Sequence, residues 1–322
     1  MENLKQSDLI SFCRNQLSKL PVKKILLAYS GGQDSSVLLD CLHKVSQDKS
    51  ISLRTIHVNH GLSSDAINFE QHCKVITEEL NIPHETIMIH IDSSSNIEER
   101  CRLKRYEALV KSCQNDEVIF TGHHEEDQVE TFLLRLIRGS GARGLSSMKM
   151  LSWYDEKMIF RPFLHVSKSR IDEYCSENKI SFVQDLSNNN IHFDRNFIRT
   201  KIAPMLKTRW PSFNKNIINN INIQNIQSHF ITESVRKILC ALYLNDNNQL
   251  SVSKLNEEET YNKIMIIHEW VFMQSSISLN LKQILEILKI LETNNDSNPL
   301  FSLNKIKVTK KRDILEISIT KS

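Results

Sequence analysis

Lys24-Ile-Leu-Leu-Ala-Tyr29 runs directly into Ser30-Gly31-Gly32-Gln33-Asp34-Ser35, and Ser36-Val37-Leu38-Leu39-Asp40-Cys41-Leu42-His43-Lys44-Val45 follows. The first six residues read as a short apolar strand. The last ten place Val37, Leu38, Cys41, Leu42 and Val45 on one helical face. Between strand and helix, paired glycines let the backbone turn sharply and approach a ligand closely. The helix start offers unpaired N–H groups and a positive dipole end, suited to an anion such as phosphate. Ser30 and Ser35 add hydroxyl donors. Walker spacing, with its lysine, is absent. An acid beside phosphate repels unless a cation lies between them, so Asp34 implies magnesium, which takes carboxylate and phosphate oxygens together.

Outward from this junction the first half alternates strand and helix. Ile51 to Val58, Ile82 to Ile91 and Glu117 to Thr121 read as strands. Ala66, Phe69, Cys73, Ile76 and Leu80 recur at helical spacing, and Glu98 to Cys113 reads as a further helix. Another carries Val129, Phe132, Leu133, Leu136 and Ile137 on one face. This alternation predicts an α/β fold, a parallel sheet with helices on both sides. Such sheets bind ligands beyond the carboxyl ends of their strands, so the chemistry belongs just after each strand.

All seven glycines lie between Gly31 and Gly144. After about Pro211 the chain turns rich in Asn and Ile, and Ile217, Ile218, Ile221 and Ile226 suit an amphipathic helix as well as a linker. Residues 299–319 alternate as two strands with a turn at Lys310 to Asp313. The expected division is therefore 1–211, an α/β domain, and 212–322, a smaller, mostly helical domain ending in a β-hairpin.

A net charge of +3 permits nucleic-acid binding if the basic residues cluster, without requiring it. The seven cysteines form no CxxC pair, which argues for free thiols rather than a metal or disulfide framework. No apolar run approaches the ~20 residues that cross a bilayer. The first residues lack a secretory pattern, so a cytoplasmic protein without membrane contact is expected.

Other strand ends carry polar clusters. His57-Val-Asn-His60-Gly61-Leu62 is weak evidence for a metal site and better suited to shaping a nucleotide pocket. In Thr121-Gly-His123-His124-Glu-Glu-Asp127-Gln-Val-Glu130, the residues His123, Asp127 and Glu130 stand at i, i+4 and i+7, so all three can face one cleft. Arg138-Gly-Ser-Gly-Ala-Arg143-Gly144 is a basic, glycine-rich loop suited to phosphate or RNA backbone. Asp185-Leu-Ser187-Asn188 and Asp194-Arg195-Asn196-Phe-Ile-Arg199 come later; there Arg195 and Arg199 read equally as the exposed face of a helix.

The Ser30–Ser35 loop resembles that of the PP-loop ATP pyrophosphatases. That resemblance implies ATP cleavage between the α and β phosphates, with AMP transferred to an acceptor oxygen. The HxxHGL segment, the NxExxxRxxRY stretch (Asn96, Glu98, Arg102, Arg105, Tyr106), the HHxxDQxET helix, the RGSGxxGL loop and the DxSN…RNxIR…P block extend it. In this order they resemble the tRNA(Ile)-lysidine synthetase family, tightly over residues 23–210. The resemblance implies ATP and magnesium as cofactors, and free L-lysine and a tRNA(Ile) with a CAU anticodon as substrates. ATP would adenylate the wobble cytidine, and the lysine ε-amine would displace AMP to give lysidine. It implies catalytic roles for Asp34, Arg102, Arg105, His123, Asp127 and Glu130. ATP binding would fall to Ser30, Gly31, Gly32, Gln33, Asp34, Ser35, His57 and His60, with Asp34 also holding magnesium. RNA binding would fall to Arg138, Arg143, Arg195, Asn196 and Arg199, aided by Lys207, Arg209, Lys215, Arg236 and Lys237. Phe193 stands where a tyrosine is usual and Asn190 where an aspartate is common. The length leaves no room for the extra C-terminal domain many members carry, so tRNA recognition is expected to rest on the smaller domain. Thiolases of the same superfamily generally need a cysteine pair or iron–sulfur ligands.

Overall fold

The computed structural model of the chain describes residues 9–48, 50–61, 66–90, 97–184, 190–244, 248–293, 299–303 and 305–319. Leu62, Asn96, Asp185, Ser187 and Asn188 of the motifs above lie outside them. In chain order the first elements are α1 (Leu9–Ser18), β1 (Lys24–Ala28), α2 (Gln33–Asp48), β2 (Ser52–Asn59), α3 (Ala66–Glu79), β3 (His84–Met88), α4 (Ile97–Ser112), β4 (Glu117–Phe120), α5 (Glu125–Ile137) and α6 (Ala142–Leu145). Next come β5 (Leu151–Tyr154), β6 (Lys157–Phe160), α7 (Lys168–Glu177), α8 (Asp194–Phe197), a π turn (Ile198–Ile202), α9 (Ala203–Arg209) and α10 (Phe213–Leu242). The chain closes with β7 (Gln249–Ser251), α11 (Val252–Glu257), α12 (Thr260–Ser275), α13 (Leu281–Leu291), β8 (Leu300–Leu303), β9 (Ile306–Lys311) and β10 (Ile314–Ile319). No described helix is long and apolar enough to cross a membrane.

Two compact units emerge, residues 1–135 with 147–221, and residues 136–146 with 222–322. The boundary expected at 211 thus falls at Ile221, inside α10, and the segment after α5 groups with the second unit.

In the first unit a sheet of order β3-β2-β1-β4-β6-β5 is parallel except for its β5 edge. Burial on both sides explains the near-continuous apolar strands. Ile25 and Leu27 of β1 pack with α1, α2 and α7, while Leu26 turns to the other face with Ile56, Ile119 and Leu109 of α4. The α2 face read from the sequence, Val37 to Val45, is fully buried. The α5 face holds only in part: Val129 and Phe132 are buried, but Leu136 and Ile137 are exposed, beyond the point where the helix leaves this unit. Strands β5 and β6 have no counterpart among the expected elements.

The second unit buries Leu239, Ile267, Trp270 and Ile287 from its helices against Ile306, Val308, Leu315 and Ile317 of an antiparallel sheet. Its order is β7-β10-β9-β8, so the expected hairpin exists as β9–β10 but is flanked by two further strands. Lys311 pairs with Ile314 across a two-residue turn, with Arg312 at φ +53°. The Asn/Ile-rich stretch is helix, not linker: it forms the first half of α10.

Candidate active site

The β1–α2 loop is braced by its own side chains. Ser35 Oγ donates to Gly32 O at 2.9 Å and lies 3.0 Å from Ser30 Oγ, and Gly32 N–H donates to Ser30 Oγ at 3.3 Å. Gly31 has φ +80°, and a Cβ there would meet Cys73 Sγ at 3.1 Å, so both conformation and crowding demand glycine. Gly122, after β4, abuts the start of α2: a Cβ on it would meet Asp34 and Ser35 backbone at 3.2 Å. The β4 end and the β1 loop are thus pressed backbone to backbone. First-turn N–H groups of α2 have no intrahelical acceptor, which suits the strand end to seat an anion.

From this seat a chain of alternating charges runs along the strand ends. Lys168, at the start of α7, pairs with Asp34 and donates to Gln33 Oε1 at 3.1 Å. His124 Nε2 lies 3.6 Å from both Asp34 and Asp127, and its Nδ1 is 3.3 Å from Glu126. Asp127 accepts from Arg195 Nη2 at 2.7 Å, and Glu130 from Arg195 Nε at 2.8 Å and Arg199 Nε at 2.6 Å. Lys168, His124, Arg195 and Arg199 therefore balance Asp34, Glu126, Asp127 and Glu130. Burial opposes charge on His124, but the carboxylates of Asp34 and Glu126 hold its pKa up, at about 10. Burial would also raise Asp34 and Asp127; cationic neighbours outweigh it and lower both, with His124 and Lys168 acting on Asp34 and His124 and Arg195 on Asp127.

His123 lies close to Asp127 but stays uncharged. Its Nδ1 is 2.8 Å from Thr121 Oγ1, and burial, with Arg161 and Arg105 nearby, pushes it well below the usual histidine range, so it stays neutral. His57 is buried with Nδ1 3.1 Å from Tyr29 O and 3.5 Å from Cys73 Sγ, bracing the end of β1 from beneath. His60 is lowered to about 4 by burial, Arg105 and His57. On α4, the Arg102 and Arg105 guanidiniums sit 5.6 and 5.7 Å from the Tyr106 ring, which stacks on Tyr154. Arg161, buried at the end of β6, donates to the Tyr106 hydroxyl at 3.3 Å.

The structure thus joins Asp34, Asp127, Glu130, Arg195 and Arg199 into one network, which the expected division into catalytic and RNA-binding residues kept apart. Arg195 and Arg199 are not free cations on an exposed helical face; they turn inward and pair with Asp127 and Glu130. Asn196 donates to Asn190 O at 3.0 Å. Arg138 is exposed just past α5. Arg143 does not face outward to RNA: within the second unit it pairs with buried Glu269, donates to Thr232 Oγ1 at 2.9 Å and lies 3.8 Å over the Phe272 ring. The loop's glycine-rich, basic composition hid that internal role. His124, Glu126, Lys168 and Arg161 escaped the expectation; only His124, adjacent to His123, left a local trace. No cluster of three or more His, Cys, Asp or Glu side chains that could hold a metal by itself occurs among the described residues.

Comparison with known proteins bears on this arrangement. A family model described as a PP-loop domain matches residues 5–206. The chain is 34% identical to a tRNA(Ile)-lysidine synthase of Histophilus somni over 92% of this chain and 70% of that protein. It is 39% identical to one from Buchnera aphidicola subsp. Baizongia pistaciae, over 86% of this chain and 64% of that one. Among solved structures, the U34-tRNA thiolase NcsA of Methanococcus maripaludis superposes with a TM-score of 0.51 at 17% identity, covering 66% of this chain and 77% of that one, and shares the fold. The seat at the end of β1, its ordered motifs and these relatives converge: the chain belongs to the tRNA(Ile)-lysidine synthase family of ATP-using PP-loop enzymes.

Proposed function

We propose that the chain adenylates the wobble cytidine of a CAU-anticodon tRNA(Ile) with ATP and then joins free L-lysine to the same ring carbon, releasing AMP and pyrophosphate, in the cytoplasm. The observation that carries this reading is the unbroken charge chain from the phosphate seat at Asp34 to the Asp127–Glu130 pair. It supports a nucleotide site with a cation site beside it.

The β1 loop and the α2 N-terminus receive the phosphates. His124, held cationic near neutral pH by its carboxylate neighbours, and the Lys168 amine beside it offset charge that grows on the departing pyrophosphate. Asp34 would hold magnesium by exchanging its pairing with Lys168 for an ion that also takes substrate oxygens and water. Bound there, magnesium would supply charge neutralisation. Asp127 and Glu130 orient the lysine ammonium, which shares them with Arg195 and Arg199. Crowding by two guanidiniums disfavours the charged amine, so the same site that holds lysine also eases loss of its proton. Asp127, held ionised, anchors rather than accepts that proton.

The test is incorporation of labelled lysine into an unmodified CAU-anticodon tRNA(Ile) transcript, with and without ATP, beside a methionine tRNA. ATP-dependent labelling of the first alone is expected. Pyrophosphate release with a tRNA but no lysine transfer would overturn the choice of nucleophile.

A further inference from the structure

The helical run from Asp194 to Arg209 has two faces of opposite character. Inward, Arg195 and Arg199 meet the carboxylates and Ile198 and Ala203 are buried. Outward, at four-residue steps, stand Phe197, Lys201, Met205 and Arg209, all exposed, and Trp210 follows at once. Phe197, Met205 and Trp210 keep 43%, 63% and 55% of their surface in water, and they gather along one stretch of helix rather than standing singly. Arg209 lies 5.9 Å from the Trp210 ring centroid. Aromatic faces interleaved with cations are what single-stranded nucleic acid needs: bases stack on the rings and phosphates meet the charges. From Phe197 to Arg209 the run spans about 18 Å at 1.5 Å per residue, the length of roughly five nucleotides at ~3.4 Å each.

We propose that this outer face, with Trp210, is the platform on which the unpaired loop of the tRNA docks, its bases against Phe197 and Trp210 and its phosphates against Lys201 and Arg209. The inference rests on the tRNA reading above and adds which surface receives the RNA. Charge favours RNA over a protein partner: Lys201 and Arg209 lie on this face, and Asp194 is the single acid of the run. Holding the loop on the helix that also clamps Asp127 and Glu130 fixes the distance an extruded base must cover to reach them.

The test uses the full chain and the CAU-anticodon tRNA(Ile) transcript, with dissociation constants read at several salt concentrations. Trp210→Ala and Phe197→Ala should each weaken binding about tenfold, and Trp210→Phe should stay close to the parent, because either ring offers a stacking face. Lys201→Gln with Arg209→Gln should lower the salt slope by about 1.4, two single-strand phosphate contacts. In a Trp153→Phe background, tRNA should quench the emission of Trp210, a response absent in Trp210→Phe. Unaltered affinity and slope in these variants, with the parent still binding and modifying tRNA, would overturn the platform and leave the reaction standing. A parent that neither binds nor modifies tRNA would overturn both. A concentration-dependent dimer that Trp210→Ala abolishes, without loss of tRNA affinity, would reassign the face to a second copy of the chain and overturn the proposal.

Discussion

Asp127 and Glu130, on α5, share two arginines, whereas Glu269 has one arginine, stacked on an aromatic ring. Both are buried carboxylate–guanidinium clusters, yet they serve different ends. The first has several partners of each sign and touches, through His124, a loop shaped for an anion. An incoming ammonium or phosphate can exchange into it without leaving a bare charge. The second is a closed pair with Thr232 as its remaining partner, so nothing can enter without breaking it. A buried charge with alternates is a site; a buried charge with one partner is a fastener.

Four changes would break or sharpen that contrast. Asp34→Asn acts on the exchangeable cluster, and tRNA-dependent pyrophosphate release should fall by about 100-fold or more, since removal of one preorganised charge-stabilising group costs that much. Its melting temperature should remain near the parent's; wild-type release by this variant would refute the role of Asp34. Arg143→Ala acts on the fastener and should destabilise the second unit by about 2–3 kcal/mol, below the full penalty for an uncompensated buried charge because Arg143 is partly in contact with water. Trp270, fully buried in that unit, reports the transition by fluorescence. Adding Glu269→Leu should recover most of the loss, and no recovery would mean that packing on Phe272, not charge, is what matters.

Lys168→Gln should cost roughly tenfold in adenylation rate, because His124 still faces Asp34 and one neutralising group of two is lost. Loss as deep as that of Asp34→Asn would show the cluster to be as intolerant as the fastener. The last change concerns pH. With His124 held at about 10 in the folded chain and ordinarily at 6.5, its charged form stabilises the fold fully below 6.5. That contribution fades as pH rises from 6.5 through 10. Melting temperatures of the parent and His124→Gln, followed from pH 6 to pH 10, should therefore converge; parallel curves would deny His124 its charge.

Local chemistry was legible in the sequence, and pairing across distance was not. The β1 loop and the buried face of α2 follow from a few consecutive residues, because glycine tolerance and helical period are local properties. Lys168 lies 134 residues from Asp34, and no periodicity marks such a contact. Arg143 sits in a basic glycine loop whose partner comes 126 residues later, so the loop read as RNA-facing. Strand β7 is only three residues long, below the span at which alternation identifies a strand. The grouping of Asp127 with Arg195 and Arg199 likewise needed the fold, though each residue stood out on its own.

Cys73, whose sulfur closes the space beneath Gly31, gives the molecule a particular redox character. Burial, with Glu70 nearby, pushes its thiol up to about 12, so the nucleophilic thiolate is scarce at neutral pH. The sulfur beneath the phosphate seat is thus poorly open to alkylation or oxidation. Cys240 is exposed, on α10 in the other unit. A thiol reagent would mark that helix first and leave the floor of the nucleotide loop in its reduced form.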